Sequence, residues 1–123
     1  MSEIQQLAKK YGLPNWELIV FALIFRVTRG KGPRFYRTEL FSTKNIDIAV
    51  DWSRKLGHKK DPQHPEETMQ RTLQNMRDKK YILFHGQGSY ELTTIGSLVL
   101  DRFEEHLIAL VDQNLEPQTL VVK

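Results

Sequence analysis

Four side chains with paired hydrogen-bonding groups lie close together near the middle of the chain: Gln70, Arg71, Gln74 and Asn75. A carboxamide can pair with the donor and acceptor on the major-groove edge of adenine, and a guanidinium can pair with the two acceptors on guanine. These residue types therefore favour contacts with base edges in duplex DNA. Such contacts require one element that presents the four side chains together.

Residues 66–79 are predicted to be that element, an amphipathic helix. Met69, Leu73 and Met76 recur at i, i+4 and i+7, which places them on a single apolar stripe. Pro65 suits the first helical position, where a backbone N–H has no acceptor within the helix. The polar side chains then fall on the opposite side of the helix and face solvent.

Residues 81–92 follow the helix directly and are predicted to form a β-hairpin. From Tyr81 to His85 the side chains alternate between two faces, as they do along a strand. Gly86 and Gly88 provide the turn, since glycine adopts positive φ without steric cost, and residues 90–92 lead back as the second strand. A helix that leads into such a two-stranded wing is typical of a winged-helix domain.

The rest of the chain fits a mainly α fold with a small β-hairpin, that is, a winged helix-turn-helix with extra N- and C-terminal helices. Residues 3–11 are predicted to form a short helix that ends at Gly12. Residues 16–28 are predicted to form a helix that is apolar on nearly every face, with Asn15 as its N-cap.

Between that apolar helix and the amphipathic one, residues 35–36 are expected to form a brief first strand that pairs with the wing. Thr38 is expected to cap a helix from residue 39, which residues 42–45 interrupt before it resumes over residues 46–56. Residues 57–63 then form a basic loop.

After the wing, Thr93 or Thr94 is predicted to cap a final helix that ends at Pro117. Residues 1–123 are thus expected to form one domain with three parts: a winged-helix core at residues 13–92, a C-terminal helix at residues 93–116 and a loose tail at residues 117–123.

The basic residues are concentrated in one stretch. Between Arg26 and Lys60 there are ten Lys and Arg residues against three Asp and Glu residues, a net charge of +7, whereas residues 61–123 carry −4. This distribution favours a polyanionic partner, whose binding would weaken as salt rises. If the partner is duplex DNA, the amphipathic helix of residues 66–79 is the recognition helix. Further contacts are then expected from residues outside this helix: Arg37, Lys59, Lys60, Lys80, Gln87 and Ser89.

Residues 65–93 resemble the C-terminal winged-helix domain of the DpnI-like, Dam-replacing restriction endonucleases. That family's pattern is approximately P-x-x-T-I-R-x-x-L-Q-x-L-R-D-x-G-x-I-E-F-x-G-x-G-x-Y-x-L. The matching positions in this chain are Pro65, Thr68, Leu73, Gln74, Arg77, Asp78, Ile82, Phe84, Gly86, Gly88, Tyr90 and Leu92. Residues 35–40 (FYRTEL) also resemble the family's approach to its second helix, and the likeness covers about half the chain.

The chain departs from the family pattern at three positions. Lys80 stands where the family prefers glycine, Leu83 replaces an acidic residue, and Gln70 occupies the place of a common arginine. In the family this domain helps to read methylated adenine in duplex DNA, and a separate nuclease domain cuts. Nothing in this sequence resembles that nuclease. The resemblance therefore implies a binding module without catalysis, and methyl-specific readout is not carried over.

Several other classes of function find no support in the sequence. The chain has no cysteine, which excludes a disulfide framework or a Cys-based zinc site and suits a reducing cytoplasm. The N-terminus lacks the apolar stretch of a signal peptide, and the longest apolar run, residues 18–25, is far shorter than the ~20 residues of a membrane span. His58 and His64 flank Asp61, but this spacing matches no zinc or nuclease motif, so solvated loop histidines are favoured over a metal site. No cofactor motif is present, and an enzyme is not expected.

Two hypotheses for the winged helix stay open. Glu66, Glu67 and Asp78 make the amphipathic helix nearly neutral, and the wing contains no Lys or Arg. These features favour a protein-interaction module. The basic stretch and the family resemblance favour a DNA-binding regulator or accessory factor, which is the hypothesis we prefer.

A homodimer is also expected. Residues 95–115 form an apolar stripe longer than a three-helix core covers, and residues 16–27 are apolar on every side. Exposed surfaces of this kind usually mark an interface. A two-fold pairing would present two recognition helices to successive major grooves, ~34 Å apart. The alternative is that the two helices pack on each other within one chain.

Overall fold

The chain alternates helices with short strands in the order of a winged helix-turn-helix domain extended at both ends. The computed structural model describes the backbone of residues 3–10 and 12–122, and the side chains of residue 6 and of residues 8–10 and 12–108. The elements in this part of the chain are α1 (Glu3–Lys10), α2 (Asn15–Thr28), β1 (Arg34–Tyr36), α3 (Arg37–Leu40), α4 (Thr43–Lys55), α5 (Pro65–Asp78), β2 (Ile82–Gly86), β3 (Ser89–Leu92) and α6 (Thr94–Val122). The predicted fold class is confirmed.

Helix α2 forms the centre of the core. The seven side chains of residues 18–24 are all buried, at 1% relative exposure or less. Helices α4, α5 and α6 and strand β1 pack around α2, and burial of each large apolar side chain contributes roughly 1.5–3 kcal/mol. Because α2 and α6 pack on each other within the chain, residues 18–24 have no surface left for a second copy.

Strands β1, β2 and β3 form an antiparallel sheet in the order β1-β3-β2. Phe35 lies opposite Tyr90, and Ile82 lies opposite Leu92. All four side chains are buried and belong to the hydrophobic core. The predicted hairpin and the brief first strand are both confirmed.

The turn of the wing consists of three consecutive residues at positive φ. The values are 91° for Gly86, 52° for Gln87 and 75° for Gly88. Glycine reaches this region without a Cβ clash, so the two glycines allow the tight reversal that the sequence predicts. Gln87 is the exposed residue at the tip.

The connection between β1 and α4 differs from the prediction. The four-residue helix α3 starts at Arg37, directly after the strand, and Thr38 is not its cap. Ser42 instead caps α4, since its hydroxyl accepts a hydrogen bond from the backbone N–H of Asn45 (3.2 Å). This bond satisfies an N–H that helix geometry leaves without an internal acceptor. The helix therefore resumes at Thr43 and not at residue 46.

The start of α2 also differs from the prediction. Asn15 is the first residue of the helix, and the N-cap position is occupied by Pro14. The side-chain Nδ2 of Asn15 lies 3.3 Å from Nε2 of His58, in the loop after α4. The amide of Asn15 is therefore engaged by a distant part of the chain and does not cap the helix.

Helix α6 begins where the sequence predicts. The Thr93 hydroxyl accepts a hydrogen bond from the backbone N–H of Gly96 (3.0 Å), which is an N-cap interaction. The same hydroxyl donates to the carbonyl oxygen of Lys80 (2.5 Å) and lies 3.1 Å from that of Tyr81. Thr93 thus joins the start of α6 to the start of the wing.

Helix α6 is the longest element, with 29 residues, or about 43 Å at 1.5 Å per residue. It continues past Pro117 to Val122, where the sequence predicts a tail from residue 117 onward. A proline removes one N–H from the helical hydrogen-bond ladder, which weakens a helix without necessarily ending it. Across the residues that the structure describes, no helix is both long enough and apolar enough to cross a membrane.

Gly96 marks a close approach of α6 to the wing. A Cβ atom at this position would overlap the carbonyl oxygen of Tyr81 and would lie 3.2 Å from a methyl carbon of Leu92. We expect Gly96→Ala to lower the free energy of unfolding by about 1–2 kcal/mol, because the clash outweighs the gain in helix propensity. Urea unfolding followed by circular dichroism measures the change. Ser97→Ala, one position along the helix, is the control, and equal stability of the two variants would contradict the contact.

Candidate nucleic-acid interface

Helix α5 buries one face and exposes the other. Met69, Leu73 and Met76 lie in the core at 3% exposure or less, as the apolar stripe predicts. The four side chains predicted to read base edges are all exposed: Gln70, Arg71, Gln74 and Asn75. The helix is thus held by its apolar face, and its polar side chains are accessible to a partner.

A cleft of about 120 Å³ lies between α5 and the wing. Its lining combines two guanidinium groups with two carboxamides and two further side chains: Arg37, Gln70, Gln74, Arg77, Leu73 and Tyr90. Arg37 reaches the cleft because its backbone N–H donates to the carbonyl oxygen of Gly88 in the wing turn (2.8 Å). Guanidinium groups bind phosphate through paired N–H donors, so the cleft suits an anionic, oxygen-rich group.

Arg77 is a candidate that sequence analysis did not select. Its guanidinium carbon lies 4.8 Å from the centroid of the Phe84 ring, a cation–π distance that holds the group beside the wing. Helical spacing could have identified it. Gln70, Gln74 and Arg77 stand at i, i+4 and i+7 and therefore share one side of α5.

The structure divides the four predicted base-reading residues into two pairs. Gln70 and Gln74 line the cleft, whereas Arg71 and Asn75 lie outside it on the exposed surface of α5. The Gln74 amide donates to the carboxylate of Asp78 (2.9 Å). This bond orients the amide and places a negative charge beside it.

Lys59 and Lys60 are both exposed in the connection between α4 and α5. This connection spans residues 56–64 and is longer than the three or four residues typical of a helix-turn-helix. It is anchored by two parallel hydrogen bonds, from Nε of Arg54 to Oδ1 of Asp61 (2.9 Å) and from Nη2 to Oδ2 (2.6 Å). Lys59 and Lys60 therefore lie in a segment that the Arg54–Asp61 hydrogen bonds fix to the end of α4.

The histidines and the aspartate of this connection do not converge. Asp61 is bound by Arg54, His58 contacts the amide of Asn15, and His64 is the N-cap residue of α5. Within the described part of the chain, no three His, Asp or Glu side chains are placed to hold a metal ion together.

Lys80 and the wing tip lie at opposite ends of β2. Lys80 has a φ of 68°, and its N–H donates to the carbonyl oxygen of Arg77 (3.0 Å). It thus occupies the left-handed position after a helix where glycine is common. Gln87 lies beyond the five residues of β2, which span about 17 Å, and Ser89 is half-buried. Lys80 and Gln87 cannot contact the same part of a ligand.

The outer face of the sheet carries exposed apolar side chains and an ionic group. Tyr36 is 57% exposed and Leu83 is 49% exposed. Between them, the Glu91 carboxylate lies 2.9 Å from Nε2 of His85 and 3.6 Å from Nε of Arg34. This face is separate from the cleft and has a different chemical character.

Comparison of the chain with protein-family models, with curated proteins and with solved structures gives no match. The resemblance to the winged-helix domain of the Dam-replacing endonucleases therefore stays a prediction. What the site does has to be inferred from its geometry and charge.

The Arg54–Asp61 pair should be visible in a titration. The hydrogen bond from Arg54 lowers the pKa of Asp61, the guanidinium charge acts in the same direction, and desolvation opposes both. The stabilisation is therefore present above the ordinary aspartate pKa and is lost as the pH falls through the lower, folded-state pKa. We expect carboxyl NMR titration to give a depressed pKa for Asp61 in the wild type and an ordinary value in Arg54→Gln. Lys55→Gln, which leaves the pair intact, is the control, and an ordinary wild-type value would show that the loop is not anchored in this way.

Proposed function

We propose that this chain binds double-stranded DNA in a sequence-specific or structure-specific manner, as a winged-helix module that performs no catalysis. The observation that carries the proposal is the cleft between α5 and the wing, where Arg37, Gln70, Gln74 and Arg77 come together. The protein would act as a regulator or accessory factor. The cysteine-free composition suits the reducing cytoplasm, where we place it.

The dimensions of α5 suit a major groove. An α-helix with its side chains is about 10–12 Å across, and the major groove of B-DNA is about 12 Å wide. With α5 in the groove, Arg71, Gln74 and Asn75 approach base edges. The phosphodiester strand that borders the groove then passes between α5 and the wing, where Arg37 and Arg77 bind its phosphates.

The charges on α5 determine which part of the helix approaches DNA. Glu66 and Glu67 are exposed in its first turn, and two carboxylates there repel phosphate. Arg71 and Arg77 lie further along the helix, where the carboxylate of Asp78 accepts a hydrogen bond from Gln74 (2.9 Å). The middle and the C-terminal half of α5 therefore face the duplex, which is also the part that lines the cleft.

Fluorescence anisotropy with labelled duplexes of random sequence tests the proposal. We expect wild-type binding to weaken with salt, at a slope of about −0.9 in log K against log salt per phosphate contact. Arg37→Ala and Arg77→Ala should each make the salt slope less steep by about 0.9. Each should also weaken binding to all sequences alike, because phosphates carry no sequence information. Arg71→Ala or Gln74→Ala should instead reduce discrimination between sequences, by about 1–3 kcal/mol for each base pair that the side chain no longer reads.

Lys9→Ala is the matched control, since Lys9 is an exposed cation on α1. It should bind like the wild type. The double variant Lys59→Ala/Lys60→Ala tests whether the connection between α4 and α5 binds phosphates, and it should also make the salt slope less steep. If the wild type binds no duplex, or binds without dependence on salt, the proposed function is wrong. If it binds and neither cleft arginine affects the slope, DNA is bound elsewhere on the protein.

The outer face of the sheet favours a second candidate function, a protein-interaction module. Exposed Tyr36 and Leu83 lie beside the ion pair of Arg34 and Glu91, and His85 is hydrogen-bonded to the same Glu91 carboxylate. An apolar patch with a charged border is the usual composition of a protein interface. This protein-interaction function is favoured over DNA binding if the wild type shows no salt-dependent binding to duplex DNA.

We also propose a homodimer formed through α6. Ile95 and Leu98, at i and i+3 on this helix, are 51% and 55% exposed. Because residues 18–24 of α2 are covered within the chain, α6 is the one of the two apolar helices that is left to form the interface. Sedimentation equilibrium at micromolar concentration should give twice the chain mass of 14.4 kDa, and Leu98→Glu should shift the protein towards the monomer. A single wild-type species at 14.4 kDa would exclude the dimer.

A further inference from the structure

A second positively charged surface lies between the end of α2 and the start of α4. This groove of about 540 Å³, the basic groove, is lined by four cationic side chains, one carboxylate and three further residues: Arg26, Arg29, Lys31, Lys44, Glu39, Val27, Ser42 and Asn45. Part of the positive charge in the middle of the chain is therefore gathered in one place by the fold.

Ion pairing divides the basic stretch into neutralised and uncompensated cations. Three cations of the stretch are neutralised by carboxylates: Arg54 by Asp61, Lys55 by Asp51, and Arg34 by Glu91. Three cations of the basic groove form no ion pair with any residue that the structure describes: Arg26, Lys31 and Lys44. Like charges that share a groove repel one another, and this repulsion is relieved when an anion binds.

Asn45 fixes one wall of the basic groove. It is 5% exposed, its side-chain oxygen accepts a hydrogen bond from Nε of Arg26 (3.2 Å), and its amide donates to the carbonyl oxygen of Glu39 (3.0 Å). Arg26 is thus positioned by a neutral partner that leaves its charge uncompensated. The backbone N–H of Asn45 already donates to the Ser42 hydroxyl, so this N–H does not contribute to binding an anion.

Helix α3 joins the basic groove to the cleft. Arg37, the first residue of α3, lines the cleft, and Glu39, two residues later, lines the basic groove. One strand of duplex DNA carries a phosphate every ~3.4 Å along the helix axis. Residues at i and i+2 of a helix point to different sides, so a strand bound between α5 and the wing has to pass α3 to reach the cations of the basic groove.

We propose that the basic groove binds backbone phosphates of the same duplex, beyond the base pairs that α5 faces, with Lys31 and Lys44 as the flanking contacts. This inference rests on the proposed DNA-binding function. It extends the DNA site along the protein and separates two kinds of contact. The cleft and α5 set the position on the duplex, and the basic groove adds affinity that is independent of sequence.

Binding to a duplex of about three helical turns, roughly 30 base pairs, tests the inference. The variant Lys31→Ala/Lys44→Ala is compared with Lys9→Ala/Lys10→Ala, which removes two charges from α1. The groove variant should lose about 1.8 from the magnitude of the salt slope, since each phosphate contributes about 0.9. It should also weaken binding to all sequences alike, because phosphate contacts carry no sequence information. The α1 variant should keep the wild-type slope.

The outcomes separate this inference from the proposed function. If the wild type binds the duplex and the groove variant keeps its full salt slope, the basic groove is not a phosphate site, and DNA binding itself stands. If the groove variant instead changes the preference among sequences, the two lysines act at the site that reads bases, and the extended site is wrong. If the wild type does not bind the duplex, the proposed function fails, and the inference fails with it. Thermal unfolding of each variant by circular dichroism shows that the fold is retained.

Discussion

The burial of α2 sets the positions of the elements around it. Residues 18–24 are apolar on every side, and α4, α5, α6 and β1 surround them. Each of these elements buries its own apolar face against the same helix, and a close-packed interior allows few relative positions. The direction of α5 follows from this packing, and so does the exposure of its polar side. The surface that we assign to DNA is therefore a consequence of where the core lies.

A few directional bonds then set the details, because apolar packing by itself is not directional. Lys79, just after α5, donates to the buried carboxylate of Glu17 on α2 (2.7 Å). Thr93 joins α6 to the start of the wing, and the backbone of Arg37 joins α3 to the wing turn at Gly88. Together these bonds bring the wing alongside α5. The cleft exists because both the packing and the bonds are present.

The fold also redistributes the charge of the chain. Cations that are neighbours in sequence have different environments, since Arg54 is neutralised by Asp61 while Lys44 has no carboxylate partner among the described residues. An exposed ion pair contributes little to stability, but it removes a charge from the field that a polyanion meets. The attraction for DNA phosphates therefore depends on which cations are paired. The basic groove and the two cleft arginines are the positions that this division favours.

The helices and the wing could be predicted from the sequence, because hydrophobic periodicity and turn residues act over a few positions of the chain. Helix caps were predicted less well, as Asn15 shows, since a distant residue such as His58 can bind the side chain that would have capped. Of the residues that line the cleft, the sequence identified Gln70 and Gln74 as exposed residues of the helix and Arg37 as a further contact. Arg77 was missed, and the convergence of all four side chains depends on how the elements pack. Local patterns determine which elements form, whereas packing around α2 determines which side chains converge, and that depends on the whole chain at once.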